Sequence, residues 1–486
     1  MKKTVSCLAA AMLIAGATSP TVAQDSGLDP DTAAGVTVTP APVAARPESP
    51  HLYQQLTRLV PARMAANDVA GVVIVVLRGG TPVWTRAFGM ADPATGREMT
   101  DDALFRVESI SKPVTAWGAM RLAETGRFDL HAPAAACLSD RVLPAGTARF
   151  TAQHLLSHTA GIGLGDYAAR YDPEEARPSL TAHLARDFTQ TGTPGAGFAY
   201  SDTGFNLLEL MIENCTGEDF AALMAREVLI PLGMHASSFD WTGAEMPVGH
   251  DLRGRPVAAY VYPAHASGGL HSTAADIARF ATANMAGAPQ SVLSPDAVRK
   301  LHRPVVQVGG LFGIVAESYG LGYFTETLSD GRAAVWHGGQ GYGWMTHLHI
   351  VPETGNGIVI LANSQRAWPL FAEVLRTWSE SIGVAPVGMT RVLWAEMVAR
   401  FSIGLLILTG VVALWGALRR RARGRKLRIL AGGLAVPLIG TPIWAAVQDY
   451  LFLFSILPGL WPWIAAAAGL TGLGLGAIAL GPGERT

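Results

Sequence analysis

The sequence predicts an α/β (α+β) domain whose antiparallel sheet is formed by strands from both ends of the domain, followed by membrane-spanning helices. Three observations carry this. A strand pair, "GVVIVVL" (71–77) and "PVWTRAFG" (82–89), precedes helical patterns running from Ser111 to about Gly233. Strand texture then returns at "MTHLHIV" (345–351) and "IVILANS" (358–364), around the turn "PETGNG". Beyond residue 400, long apolar runs replace the mixed pattern of a soluble domain.

The N-terminus, residues 1–24, reads as a secretory signal. Lys2 and Lys3 precede the apolar stretch Leu8–Ala17, and "TVAQDS" offers small residues for cleavage near Ala23 or Gln24. The stretch is too short to span a bilayer, and Cys7 stands too early for a lipidated cysteine. Residues 25–50, rich in Pro, Ala, Thr and Asp without apolar period, form a flexible leader. The globular domain is expected over 51–382. It opens with an amphipathic helix near 51–66 and a hairpin turning at Gly79 and Gly80. Export leaves two cysteines, Cys137 and Cys215, for which a disulfide and two unpaired thiols are both open.

After a linker over 383–400, three helices are expected in a membrane domain over 401–481, at 401–418, 429–447 and 460–480. Trp394, Trp461 and Trp463 occupy places suited to the bilayer interface. The run "RRRARGRKLR" (419–428) carries seven positive charges between the first two spans, which places it in the cytoplasm and the domain before Phe401 outside. Both orientation signals therefore agree on an inner-membrane protein with its large domain in the periplasm. Gly472 and Gly476 offer a small face for helix packing.

Composition excludes other classes. Hydrophobic residues make up 49% and charged residues 15% of 486, which leans toward a membrane contribution. Net charge is −1, and the one basic run is short and wedged between apolar segments, so nucleic acid is not expected as a partner. His154 and His158 have the i, i+4 spacing of a helical metal pair, but neither H-E-x-x-H nor a third ligand accompanies them. His347 and His349 share one strand face with no further ligand evident. No metal or cofactor is expected. G-x-S-x-G is absent, which argues against an α/β-hydrolase.

The chemistry centres on "FRVESISKPVTA" (105–116). The chain contains five lysines against 32 arginines, and Lys112 stands three residues after Ser109 at the start of a helical pattern. That spacing puts both side chains on one face, a turn apart. A serine nucleophile needs a base; arginine stays protonated, whereas a lysine can lose its proton once its pKa falls from about 10.4. Chance alone supplies about a quarter of one S-x-x-K match in this composition, so the motif needs support from its surroundings.

That support comes from "TAQHLLSHTAGI" (151–162), "PGAGFAYSDTGFNLLELMIENCTGEDF" (194–220), "PLGMHASSF" (231–239), "ASGGLHSTAADIARF" (266–280) and "WHGGQGYGW" (336–344). In this order the blocks resemble the serine β-lactamase and penicillin-binding protein superfamily, above all the class C β-lactamase-related hydrolases, over roughly 51–380. The resemblance implies a β-lactamase-like fold and assigns roles. Ser109 matches the acyl-enzyme nucleophile, Lys112 its base or proton relay, and Tyr200 a second acid/base group. His337, Gly338 and Gly339 match the third motif, and the N–H groups of Ser109 and Gln340 the oxyanion hole. A phenolate at Tyr200 would require the positive charge of Lys112.

Two departures bear on substrate. Asp202 stands where the family usually has asparagine; ionised, it accepts hydrogen bonds but donates none, and it holds a proton on Lys112 more firmly. His337 replaces the lysine of drug-destroying relatives, so a weak response to β-lactams is expected. The expected function is a membrane-anchored serine hydrolase acting on an ester or amide of a small molecule or peptide. A β-lactamase or D,D-carboxypeptidase, opposed by Asp202, and a catalytically weak sensor, opposed by the intact Ser109, Lys112 and Tyr200, are the alternatives. Oligomeric state is left open.

Overall fold

The structure is a computed structural model that describes residues 50–482 other than 140–141, 144–148, 167–168, 311, 420–423 and 447–451. The expected signal and leader lie outside the described residues, as do Arg420, Arg421 and Arg423 of the basic run. The chain divides into a globular unit, Pro47–Gly404 with Asp449–Ile464, and a helical unit that includes Leu405–Gln448 and Ala465–Thr486.

In the globular unit the main sheet has nine strands: β1 (Gly71–Arg78), β2 (Thr81–Asp92), β3 (Arg97–Glu98), β4 (Val306–Gln307), β5 (Ser318–Tyr319), β6 (Phe324–Thr327), β7 (Ala333–Gly341), β8 (Trp344–Val351) and β9 (Asn356–Ala362). Their order is β3-β2-β1-β9-β8-β7-β6-β5-β4, with every neighbouring pair antiparallel. The expected closure by both chain ends is the β1–β9 pairing, in register from Val72 with Ala362 to Leu77 with Gly357. Gly79 and Gly80 both take positive φ, the geometry of the tight β1–β2 hairpin.

The β-branched run of β1 is buried on both faces because the sheet separates two cores. Val73, Val75 and Leu77 face the helical middle, while Val72, Ile74 and Val76 face α1 (Pro50–Asn67) and a later helix, Trp368–Ser381. That period-2 alternation fixes the register, since a one-residue slip would exchange the two faces. Between the sheet's halves lie α2 (Ser111–Glu124) and α3 (Asp202–Thr216). Cys137 and Cys215, the latter near the end of α3, form a disulfide with Cα atoms 5.4 Å apart, which settles the choice left open by sequence.

Described by itself, the helical unit belongs to three helices long and apolar enough to cross a membrane, with window hydropathies of 2.2, 1.7 and 1.8. The first is helical from Arg391 to Leu418, so the linker expected over 383–400 is already helical in its second half. The other two, Arg425–Ala446 and Trp461–Leu480, start within four residues of the expected bounds. A Cβ on Gly472 would come within 2.6 Å of Ile439, and one on Gly474 within 2.9 Å of the Gly410 carbonyl. Gly474 therefore replaces Gly476 as the second close-packing glycine. A Cβ on Gly476 would meet only Ala435, at 4.0 Å.

Candidate active site

Ser109 sits in a single 3-10 turn, Glu108–Ile110, that leads directly into α2. It is the one half-buried residue in the otherwise buried run 105–120. Lys112, on the first turn of α2, is 0% exposed. Its Nζ donates to three acceptors: Ser109 Oγ at 2.9 Å, Asp202 Oδ1 at 2.6 Å and the Ser267 carbonyl at 2.8 Å. Three N–H bonds thus meet three oxygens, the full donor capacity of an ammonium. Burial works to lower the pKa of Lys112, but the Asp202 carboxylate beside it and the Tyr200 hydroxyl outweigh that and raise it. At rest the amine holds its proton.

Asp202 opens α3, where Ser201 caps the helix by accepting from the Gly204 N–H at 2.9 Å. A carboxylate in the first turn suits the positive end of the helix dipole. Tyr200 precedes this cap, with Lys112 Nζ 4.9 Å from its ring centre. Burial, with the Asp202 carboxylate adding to it, raises the Tyr200 pKa against the opposing pull of Lys112. The resting group is therefore a neutral phenol. Lys112 pulls that pKa down but does not outweigh burial, so the phenolate for which the sequence required Lys112 is not the resting form.

The third motif folds as β7 rather than as a free turn. β6 pairs with β7 only as far as Phe324 with Trp336, so from His337 to Gly341 that edge of β7 has no strand neighbour. The turn that carries Ser109 approaches it instead. A Cβ on Gly339 would lie 2.3 Å from the Val107 carbonyl and 2.2 Å from Thr346 Oγ1, and one on Gly341 within 2.2 Å of the Glu108 carboxyl carbon. Glycine is required at both positions by this contact. Thr346 Oγ1 clamps the same junction by donating to the Val107 carbonyl at 2.7 Å.

An open cleft lies against Ser109, walled also by Asp202, Ser267, Gln340 and Gly341. The structure thus brings Ser109, Asp202 and Gln340 to one cleft, with Lys112 bonded to Ser109 and lying 4.9 Å from the Tyr200 ring centre. Gln340 lines this cleft, and its side-chain carbonyl accepts from Trp368 Nε1 at 3.2 Å. His337 and Gly338 are not brought to the cleft wall. The His337 ring is 1% exposed; Nδ1 bonds the Gly338 carbonyl at 2.8 Å and Nε2 meets the Tyr319 hydroxyl at 3.1 Å. Burial, then the Lys112 charge, push its pKa down to about 3. Both ring nitrogens are occupied within the fold and the ring is neutral. Gly338 faces the opposite way, where a Cβ would meet Trp368 at 2.7 Å.

Several residues at the site escaped sequence reading. Glu108 takes φ +52, unusual for a residue with a Cβ, and its buried carboxylate accepts from Arg106 Nε at 3.2 Å, the Tyr260 hydroxyl at 3.1 Å and the Tyr262 hydroxyl at 2.8 Å. Arg106 is 1% exposed and stacks 4.1 Å from the Tyr260 ring centre. These four residues fix the backbone on which Ser109 stands. His158, also at positive φ, stacks 4.3 Å from Tyr200 and accepts from the Ser201 N–H through Nδ1. His154 instead bonds Thr151 in a capping box, so the two histidines diverge. Among the described residues no group of three metal-ligating side chains exists. Only the position of Glu108, directly before Ser109, was a visible signal.

A half-buried serine bonded to a buried lysine, with a carboxylate beside it under an open-edged strand, defines the class, a serine hydrolase of β-lactamase-like fold. The beta-lactamase family model matches residues 56–375, and the chain belongs to that family. It is 26% identical over 387 residues to esterase EstB of Burkholderia gladioli, a match covering 66% of this chain and 93% of that protein. It is 28% identical over 327 residues to penicillin-binding protein 4 of Amycolatopsis lactamdurans, covering 64% and 85%. Among solved structures, a class C beta-lactamase superposes with TM-score 0.59 at 18% identity, over 68% of this chain and 96% of that one.

Proposed function

We propose that this enzyme hydrolyses an ester or amide through an acyl-enzyme at Ser109, outside the cytoplasmic membrane to which its C-terminal helices anchor it. The observation that carries the reading is the 2.9 Å contact between Lys112 Nζ and Ser109 Oγ, made by a lysine with no exposed surface. Ser109 Oγ attacks the acyl carbon and passes its proton into the Lys112–Tyr200 pair, which returns it to the leaving group. The N–H groups of Ser109 and Gln340 receive the developing oxyanion. Because Lys112 is protonated at rest, the ammonium must first release a proton to solvent water, with Asp202 opposing, before the neutral amine can take the proton of Ser109. Water arriving by the open cleft then releases the acyl group.

An ester substrate is favoured over a β-lactam. No lysine or arginine lines the cleft among the described residues, burial lowers the pKa of His183 in its wall, and His337, which replaces the family's carboxylate-binding lysine, is neutral and turned into the core. The similarity to an esterase covering 93% of that relative supports the same choice. Anchoring is supported by the three apolar helices and the basic run at 419–428. The test compares p-nitrophenyl butyrate with a chromogenic cephalosporin as substrates of the full-length protein in detergent. Turnover of the ester that Ser109→Ala abolishes supports the reading; turnover of the cephalosporin alone, or ester turnover unchanged in Ser109→Ala, contradicts it.

A further inference from the structure

The segment expected as a linker to the membrane is part of the domain's core. Val387, Met389 and Val392, at the start of the run into the first apolar helix, are buried in one cluster with Tyr319, Phe324 and Trp336. Tyr200 and Phe312 are partly buried against that cluster. A tether between units is ordinarily exposed and flexible, with few contacts crossing it. This one begins as a fixed end.

Contacts run from the fixed end to Tyr200. The Gly388 N–H donates to Glu326 Oε2 at 2.8 Å, and a Cβ on Gly388 would collide with the Val315 carbonyl oxygen. Arg391 Nη1 donates to the Ile314 carbonyl at 3.1 Å. Both carbonyls follow Phe312 in one short turn, in which the Val315 and Ala316 N–H groups bond back to the Phe312 carbonyl at 3.1 and 3.0 Å. The Phe312 ring in turn stacks on Tyr200, with centres 5.1 Å apart and planes 22° apart. β6 gives a second route: Glu326 and Phe324 share a strand face, and the Phe324 ring lies 6.3 Å from Tyr200 with planes 3° apart. Packed rings and backbone hydrogen bonds of this kind are the physical means by which a displacement at one place is felt at another.

We infer that Gly388 and Arg391 are positioning residues: through the Phe312 turn they fix the ring of Tyr200, so the helix that enters the membrane helps set the geometry of proton transfer at Ser109. The inference rests on the acyl-transfer reading, in which Tyr200 shares the proton of Ser109. Gly388 leaves no room for a side chain where the anchor meets the turn. Arg391 ties the turn to the first residue of the helix. Neither residue lines the Ser109 cleft, so their effect reaches the chemistry through Tyr200.

A probe on Tyr200 tests this without requiring turnover. The full-length protein in detergent is labelled with 3-fluorotyrosine, and the Tyr200 fluorine resonance is identified by its loss in Tyr200→Phe. That resonance should move in Gly388→Ala and in Arg391→Met. It should stay in place in Gly355→Ala, whose methyl group meets the Gly79 and Gly80 backbone instead. With an ester substrate, kcat should fall roughly tenfold in Gly388→Ala while KM stays within about twofold, since a misplacement of about 1 Å can cost 10²-fold. Gly388→Ala should add little to the loss already caused by Phe312→Leu, as a shared route requires. Arg391 is exposed, so Arg391→Met decides the matter should Gly388→Ala not fold. A Tyr200 resonance unmoved in Arg391→Met, one displaced as far in Gly355→Ala, or additive losses in the double variant would overturn the inference. Ester turnover by the wild type reports separately on the acyl-transfer reading, so the two can fail independently.

Discussion

Lys112 Nζ lies closer to Asp202 Oδ1, at 2.6 Å, than to Ser109 Oγ, at 2.9 Å, and this difference governs the proton inventory of the site. The carboxylate that holds the lysine in position also keeps it charged. An asparagine would hold the amine by the same oxygen but without the charge.

Asp202→Asn removes the strongest influence that raises the Lys112 pKa and leaves burial, which lowers it. The basic form then becomes available at lower pH. The acid limb of kcat/KM should move down by at least one pH unit, measured with an ester across pH 5 to 10. An unmoved or upward-shifted limb would show that Lys112 is not the titrating group. Asp202→Ala should instead lower stability by about 3–5 kcal/mol, because it strands a buried charge.

Gly339 is the point of closest approach between β7 and the Ser109 turn. A methyl group there meets the Val107 carbonyl, which belongs to the backbone and cannot rotate aside. Gly339→Ala should therefore separate the two halves of the oxyanion site and reduce kcat by at least 100-fold, against the roughly 10²–10³-fold cost of one lost oxyanion donor. A Gly355→Ala control in the β8–β9 turn, tightly packed against Gly79 and Gly80, should affect melting temperature without a matching loss in kcat.

The Arg106–Glu108 pair is fully buried and bears on catalysis only through the backbone it holds. Arg106→Met leaves Glu108 unpaired and should cost about 3–5 kcal/mol of stability. Combining it with Glu108→Gln removes the uncompensated charge and should recover part of that loss. Equal melting temperatures for the single and double variants would remove the electrostatic explanation.

Behind the sheet, Glu326 Oε1 lies 3.3 Å from His349 Nε2, and Glu326 Oε2 accepts from the Gly388 N–H at 2.8 Å. Burial raises the Glu326 pKa from 4.5 to about 7 and drives that of His349 well below its ordinary value. Between pH 4.5 and 7 the folded state binds more protons at Glu326 than the unfolded state does, so this residue's contribution to stability falls as pH rises. Glu326→Gln should show a stability advantage that grows from pH 4.5 to 7, reaching on the order of 3 kcal/mol, and then levels off. An advantage independent of pH would contradict the buried neutral carboxyl.

What the sequence made legible follows from the range of each signal. The β1–β2 hairpin was readable because a β-branched run and two glycines are local. The S-x-x-K pair was readable because three residues fix a helical face. The direction of the His337 side chain was not legible because it depends on Tyr319 and Phe324, contributed by two-residue and four-residue strands too short to show periodicity. Glu108 was invisible because a positive φ on a glutamate arises from Arg106, Tyr260 and Tyr262, and two of these lie about 150 residues away. The state of Tyr200 required knowing that Asp202 and Lys112 meet, a contact across 90 residues.

Mapping an acyl group onto the chain is the decisive measurement. The full-length protein is mixed with an activated ester, quenched in acid within the first turnover, digested and analysed by mass spectrometry. The acyl increment should appear on the peptide containing Ser109 in the wild type and be absent from Ser109→Ala. An increment on any other residue, or one that persists in Ser109→Ala, would contradict acyl transfer through Ser109.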